Sequence, residues 1–321
     1  MEVRLDPRLL TIAAALTAGG APAADEHPLV TGTRQRLAGA SDHPAVRWLR
    51  EAQARHGLLG LAMQAVQLGL PPDFDDSCPD GVPAFVEAWF GEVDRAAVAD
   101  ALRSAWRDLR IGELLREQAT EWEKVVQDVT QLLAGARIEH FQRLFWGRFP
   151  YEAVVVPLWN MYGGGLRGVG VANVRETYAV CLPKGAAPPD RLDLLMLAQH
   201  EASHPVLDSI QRQHPGVPDD CAFIEGDCPP SAPFARDYGD ATFRWVETLI
   251  RTSTCFYLEY LGRSENAEAF AESQAAAGVT AIRLFRDALR PWWEARRQGM
   301  APGLDLALPQ LPAWLRSALA R

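Results

Sequence analysis

The chain has 321 residues, 48% of them hydrophobic, and a formal net charge of −9. That apolar content can bury a substantial core, in one elaborate domain or in two lobes. The acidic balance and the lack of a basic stripe exclude nucleic acid as the expected partner, and no run except the N-terminal one approaches membrane-spanning character.

From the N-terminus, Met1-Glu-Val-Arg-Leu5 alternates like a strand, and Asp6-Pro7 forms a cap and first turn for a helix. Leu9 to Ala23 is apolar and ends in small residues, like a signal peptide, but Glu2 and Asp6 interrupt the basic region that such a leader needs. Retention of this segment and a cytoplasmic location are therefore expected, with export as the alternative. Five cysteines, Cys78, Cys181, Cys221, Cys228 and Cys255, suit a reducing compartment. Cys221 and Cys228 are near enough in sequence for a local bridge, yet no Cys-x-x-Cys is present and free thiols are expected.

Residues 1–148 read as a mainly helical region. Ser41-Asp42-His43-Pro44 opens a helix that Gly57 should end. Pro71 to Gly81 is rich in turn formers, and apolar residues recur at helical intervals over Val82–Phe90, Asp94–Leu109 and one long segment from Ile111 to about Leu133. His140 reads as an ordinary packed or surface histidine.

Residues 149–321 differ in texture. Tyr151 to Leu158 is β-branched, and Val169 to Leu182 alternates like one or two strands, with Met161-Tyr-Gly-Gly-Gly165 as a hairpin loop between the two stretches. A helix from Arg191 follows, then an irregular proline-rich loop from Gln211 to Asp240. Helices resume at about Ala241 to Tyr260, at Glu265 through Trp293, and near Leu311 to Ala320. The expected class is α+β, mostly helical, with a small sheet packed on the Arg191 helix.

That helix carries His200-Glu201-Ala202-Ser203-His204. Helical spacing puts residues four apart on one face, so both imidazoles can address one cation while Glu201 stands beside it. This is the H-E-x-x-H arrangement of zinc hydrolases, where the glutamate is general base to a metal-bound water. Pro205 removes a helical N–H and predicts a kink or early end there.

Catalytic zinc takes three protein ligands and keeps one open position. The metzincin pattern would need a histidine at position 210, which is Ile, and His214 comes four residues too late. A glutamate from a later helix is the other solution. Glu247 fits best, on a stripe with Phe243, Ile250 and Thr254, while Glu225, Asp227 and Glu259 stay open. Arg251 could pair with Glu247 or meet a substrate carboxylate; Asp208 and Asp193 could accept the imidazole N–H groups. For an oxyanion donor, the candidates are Tyr162, Tyr178, Tyr238 and Tyr257.

The H-E-x-x-H motif with Trp245-Val-Glu247-Thr-Leu-Ile-Arg251 downstream resembles the gluzincin metallopeptidases. More narrowly, Val3-Arg-Leu-Asp-Pro-Arg-Leu-Leu10 and Trp292-Trp-Glu-Ala-Arg-Arg297 are similar to an uncharacterised bacterial family of unknown function taken to be metalloproteases. The likeness spans nearly the whole chain, and only the metal motif in it is specific. It departs at Leu10-Thr11, where an acidic residue is usual, and at Pro205. The resemblance implies a zincin-like core, Zn(2+), ligands His200, His204 and Glu247, and Glu201 as base, with a peptide or protein as substrate. The alternative expectation is a zinc-stabilised binding module without turnover.

Overall fold

The computed structural model describes residues 1–18, 20, 27–75, 93–148, 151–161, 167–173, 175–182, 187, 189–227 and 232–321, except for the side chains of 225–227 and 237. The chain is mostly helical with one small mixed sheet, an α+β organisation. It divides into two compact units, each made of two stretches: Met1–Gly135 with Tyr151–Ala202, and Ala136–Pro150 with Ser203–Arg321.

In the first unit the sheet has the order β1-β2-β4-β3. Strand β1 (Glu2–Val3) pairs parallel with β2 (Glu152–Pro157), which pairs parallel with β4 (Glu176–Leu182). Edge strand β3 (Arg167–Ala172) runs antiparallel to β4. The hairpin expected between Tyr151–Leu158 and Val169 is not formed, because β4 lies between β2 and β3. Residues 162–166 themselves lie outside the described residues. The tight turn joins β3 to β4 instead, where the Asn173 side chain accepts from the amides of Arg175 (2.9 Å) and Glu176 (2.8 Å). The continuous apolar run of β2 follows from its place between two parallel neighbours, since Ala153 to Val156 are all buried.

Asp6 caps the first helix, Pro7–Ala18, by accepting from the Arg8 amide at 3.0 Å. The helix is buried along nearly its whole length, and even Arg8 is 7% exposed. The Arg8 guanidinium is satisfied by the Asp6 carboxylate and by the carbonyls of Val66 and Leu68. A single helical run over Pro44–Ala65 is broken at Gly57, whose φ of 69° is open to glycine at no steric cost. Asp94 caps Arg95–Asp108 through the amides of Ala96 and Ala97. The segment expected as one helix from Ile111 is two, Ile111–Glu117 and Ala119–Leu132, parted at Gln118, whose amide reaches Thr33. The helix expected at Val82–Phe90 lies outside the described residues.

The second unit is helical: Ile138–Trp146, Ala241–Tyr260, Ser264–Ala276, Ile282–Arg297 and Leu311–Leu319 are its main elements. Phe145, Phe256 and Trp293 meet with centroids 5.6 to 5.8 Å apart and form its aromatic core. The stretch expected as a plain loop after Gln211 contains short helical turns at Val217–Asp220, Ala222–Asp227 and Pro233–Asp237. Pro218 and Pro233 sit in the first turns of their segments, where a missing N–H costs no intrahelical bond. No helix among the described residues is long and apolar enough to cross a membrane.

Candidate metal centre

The motif helix runs unbroken from Arg191 to Gln213, with Pro205 inside it. The expected kink or early end is thus corrected. One proline removes one donor from a 23-residue helix, and the buried flank of Ala202, Val206, Leu207 and Ile210 holds the turns on either side. Asp190 caps the start, accepting from the amides of Leu192 (2.7 Å) and Asp193 (3.3 Å). The boundary between the two units falls within this helix, between Ala202 and Ser203.

His200, Glu201 and His204 form a cluster in which one ligand atom from each residue lies within 4.8 Å of the others. Such a His-Glu-His group could hold a metal ion, and its arrangement is compatible with a zincin. Glu201 is only 6% exposed. Its side chain lies against edge strand β3 at Gly168: a Cβ there would stand 2.7 Å from Glu201 Cγ and 2.9 Å from Oε1. The absent Cβ is the space that the carboxylate occupies. Cys181, paired with Gly168 across the ladder, is wholly buried, and its thiol is pushed upward by burial and by the Glu201 charge.

Within the second unit, the helix Ala241–Tyr260 brings Glu247 to His204. Asp240 caps this helix through the amides of Thr242 and Phe243. Glu247 is 5% exposed, and its Oε1 lies 3.4 Å from His204 Nε2. A charge-assisted hydrogen bond would be shorter, about 2.7 to 2.9 Å. By contrast, two ligands about 2.1 Å from a tetrahedral ion are roughly 3.4 Å apart. Burial pushes the His204 pKa down, more than the Glu247 charge raises it, with Arg251 adding to the decrease. The imidazole is therefore neutral near pH 7, the form that binds metals. Imidazole nitrogens and a carboxylate are a donor set suited to a divalent first-row metal.

The other oxygen of Glu247 is held by Arg251, whose Nε and Nη2 approach Oε2 at 3.2 and 3.1 Å. Asp208, one turn after His204, has a buried Oδ1 with no hydrogen-bond partner. Burial, aided by the Glu247 charge and opposed by Arg212, pushes its carboxyl up to about 7. Asp193 is exposed in the first turn of the helix.

Comparison with protein-family models, curated proteins and solved structures gives no match to this chain. The site is accordingly read from its own residues.

Among the remaining candidates, Tyr257 is fully buried and donates to the Ala136 carbonyl at 2.6 Å. The Tyr178 hydroxyl belongs to the Arg8, Asn173 and Glu176 network of the first unit. Tyr238 accepts from Arg251 at 3.3 Å. Glu259, one alternative ligand, is taken up by Arg286 and Arg290. Glu225 and Asp227 have side chains outside the described residues, as do Tyr162, Cys78 and Cys228. Cys181, Cys221 and Cys255 are buried free thiols. His140 bonds the Tyr260 hydroxyl at 2.9 Å and His214 the Asp305 carbonyl at 2.9 Å, both as packing histidines.

Three residues at the site escaped sequence reasoning. Gly168 precedes the stretch from Val169 that alternates like a strand, so the close approach that a glycine within a strand marks is not read there. Gln274 and Phe234, which surround Arg251, carry no signal.

Proposed function

We propose that the chain is a zinc-dependent metallopeptidase with a zincin-like core, in which His200, His204 and Glu247 hold the metal and Glu201 is the general base. The observation that carries this reading is the His200-Glu201-His204 cluster, with Glu247 Oε1 facing His204 at 3.4 Å. Bound zinc supplies a Lewis acid for the scissile carbonyl and lowers the pKa of a water in its open position to about 7. The residues supply the rest. His204 offers a neutral nitrogen, and the buried Glu247 brings the negative charge that a divalent ion compensates. Glu201 accepts a proton from the attacking water and delivers it to the amine nitrogen as the carbon–nitrogen bond breaks. Its burial against Gly168 fixes the carboxylate and limits competing solvent.

The test is Glu201→Gln. Full zinc content with peptide hydrolysis lowered by about 10²–10⁴-fold is the expected result, and unchanged turnover would remove Glu201 from its role. Gly168→Ala should displace the same carboxylate: zinc content stays, while kcat falls and its acidic pH limb moves. A folded Gly168→Ala protein with wild-type kcat and pH profile would show that β3 does not position the base.

A further inference from the structure

Arg251 is a half-buried side chain held by several partners of its own unit. Its Nε and Nη2 reach Glu247 Oε2, Nη1 donates to Gln274 Oε1, and Nη2 also donates to the Tyr238 hydroxyl. The rings of Phe234 and Tyr238 stand 5.6 and 5.8 Å from its guanidinium carbon. These partners come from two further segments, the Pro233–Asp237 turn with its following residue and the Ser264–Ala276 helix. The segments are tied to each other: the Phe234 amide donates to the Ala277 carbonyl at 3.2 Å. At Gly278, with φ of +105°, a Cβ would meet Ala232 Cβ at 2.6 Å. An arginine whose donors are committed in this way is poorly placed to greet a substrate carboxylate.

We propose that Gln274, Tyr238 and Phe234 clamp Arg251 as a positioning residue, which occupies Glu247 Oε2 and leaves Oε1 alone to meet the metal. The proposal rests on the metal reading given above and deepens it. A carboxylate limited to one oxygen disfavours calcium, which gathers six to eight oxygens and often takes carboxylates in two-oxygen fashion. It suits a four-coordinate ion that accepts nitrogen donors, such as zinc or cobalt(II).

The experiment measures zinc affinity by competition with a chromophoric chelator, and the visible spectrum of the cobalt(II)-loaded protein, for wild type, Gln274→Ala and Arg251→Lys. Gln274→Ala removes only the outer hydrogen bond from a half-buried position, so folding, checked by circular dichroism, should persist even if Arg251→Lys is damaged. Expected are one zinc per wild-type chain, a loss of affinity of about 10–100-fold in the variants, and cobalt bands that weaken as a second carboxylate oxygen enters. Wild-type binding with folded variants unchanged in affinity and spectrum would overturn the clamp while leaving the metal site standing. Failure of wild type itself to bind zinc would overturn the metal reading and the clamp with it.

Discussion

One helix, Ala241–Tyr260, holds two sequestered glutamates three turns apart, and they are treated differently. Glu259 receives Arg286 at 3.2 Å and Arg290 at 2.5 and 2.8 Å. Burial alone would raise its carboxyl, but the two arginines outweigh that and hold it below the usual range. Its charge is fully spent inside the fold, with Arg290 also over the Phe256 ring at 5.2 Å. Glu247 receives one arginine on one oxygen and a neutral imidazole opposite the other. A buried carboxylate needs its charge compensated. Glu259 is compensated by two arginines, whereas Glu247 has one arginine on Oε2 and faces the His204 imidazole with Oε1, the side on which the proposed metal would complete the compensation. The same residue type on the same helix thus reads as a strut in one place and as a ligand in the other.

Exchanging the loss between the two glutamates should break this contrast most sharply. Glu247→Ala is expected to reduce zinc affinity well beyond the 100-fold limit typical of residues that only support a ligand, read by chelator competition. Glu259→Gln should leave zinc affinity within a few-fold of wild type and instead lower stability by about 1–3 kcal/mol in denaturant unfolding. If both variants lose zinc equally, the distinction is wrong.

Asp208 sharpens the contrast further, because Glu247 has a third carboxyl near it. In the metal-free protein, Asp208 has a folded pKa of about 7 against an ordinary value of 3.8. The folded state therefore binds more protons than the unfolded one between those values, and stability contributed by this group falls as pH rises from about 4 to 7. His204 acts in the opposite sense: with its pKa lowered in the fold, it costs stability as pH falls below its ordinary 6.5. Asp208→Asn should consequently be more stable than wild type at pH 8, with the advantage shrinking toward pH 4, in chelator-treated samples followed by thermal unfolding. A constant difference across that range would assign Asp208 no titration of this kind.

Local signals in the sequence were the legible ones. The cap at Asp6 is read directly, while Asp94 and Asp240 cap helices whose starts are read from apolar intervals alone. The break at Gly57 and the helix from Ala241 are also read locally. The motif spacing pointed to His200, Glu201 and His204, which the fold brings together, and the apolar stripe pointed to Glu247, which is buried beside His204. What could not be read depends on distant partners. The place of β4 between β2 and β3 is a long-range pairing that alternation cannot specify. Persistence of the helix through Pro205 is decided by packing on its buried flank. Gln274 is a neutral side chain in an alanine-rich helix, and only its contact with Arg251 distinguishes it.

The central claim is that imidazole and carboxylate groups from two helices hold one zinc ion. X-ray absorption of protein loaded with one equivalent of zinc tests it most directly. Two imidazole nitrogens and a carboxylate oxygen about 2.0 to 2.2 Å from the metal, with the carboxylate contribution lost in Glu247→Ala, is the predicted result. Sulfur scattering near 2.3 Å, or a spectrum that Glu247→Ala leaves unchanged, would contradict it.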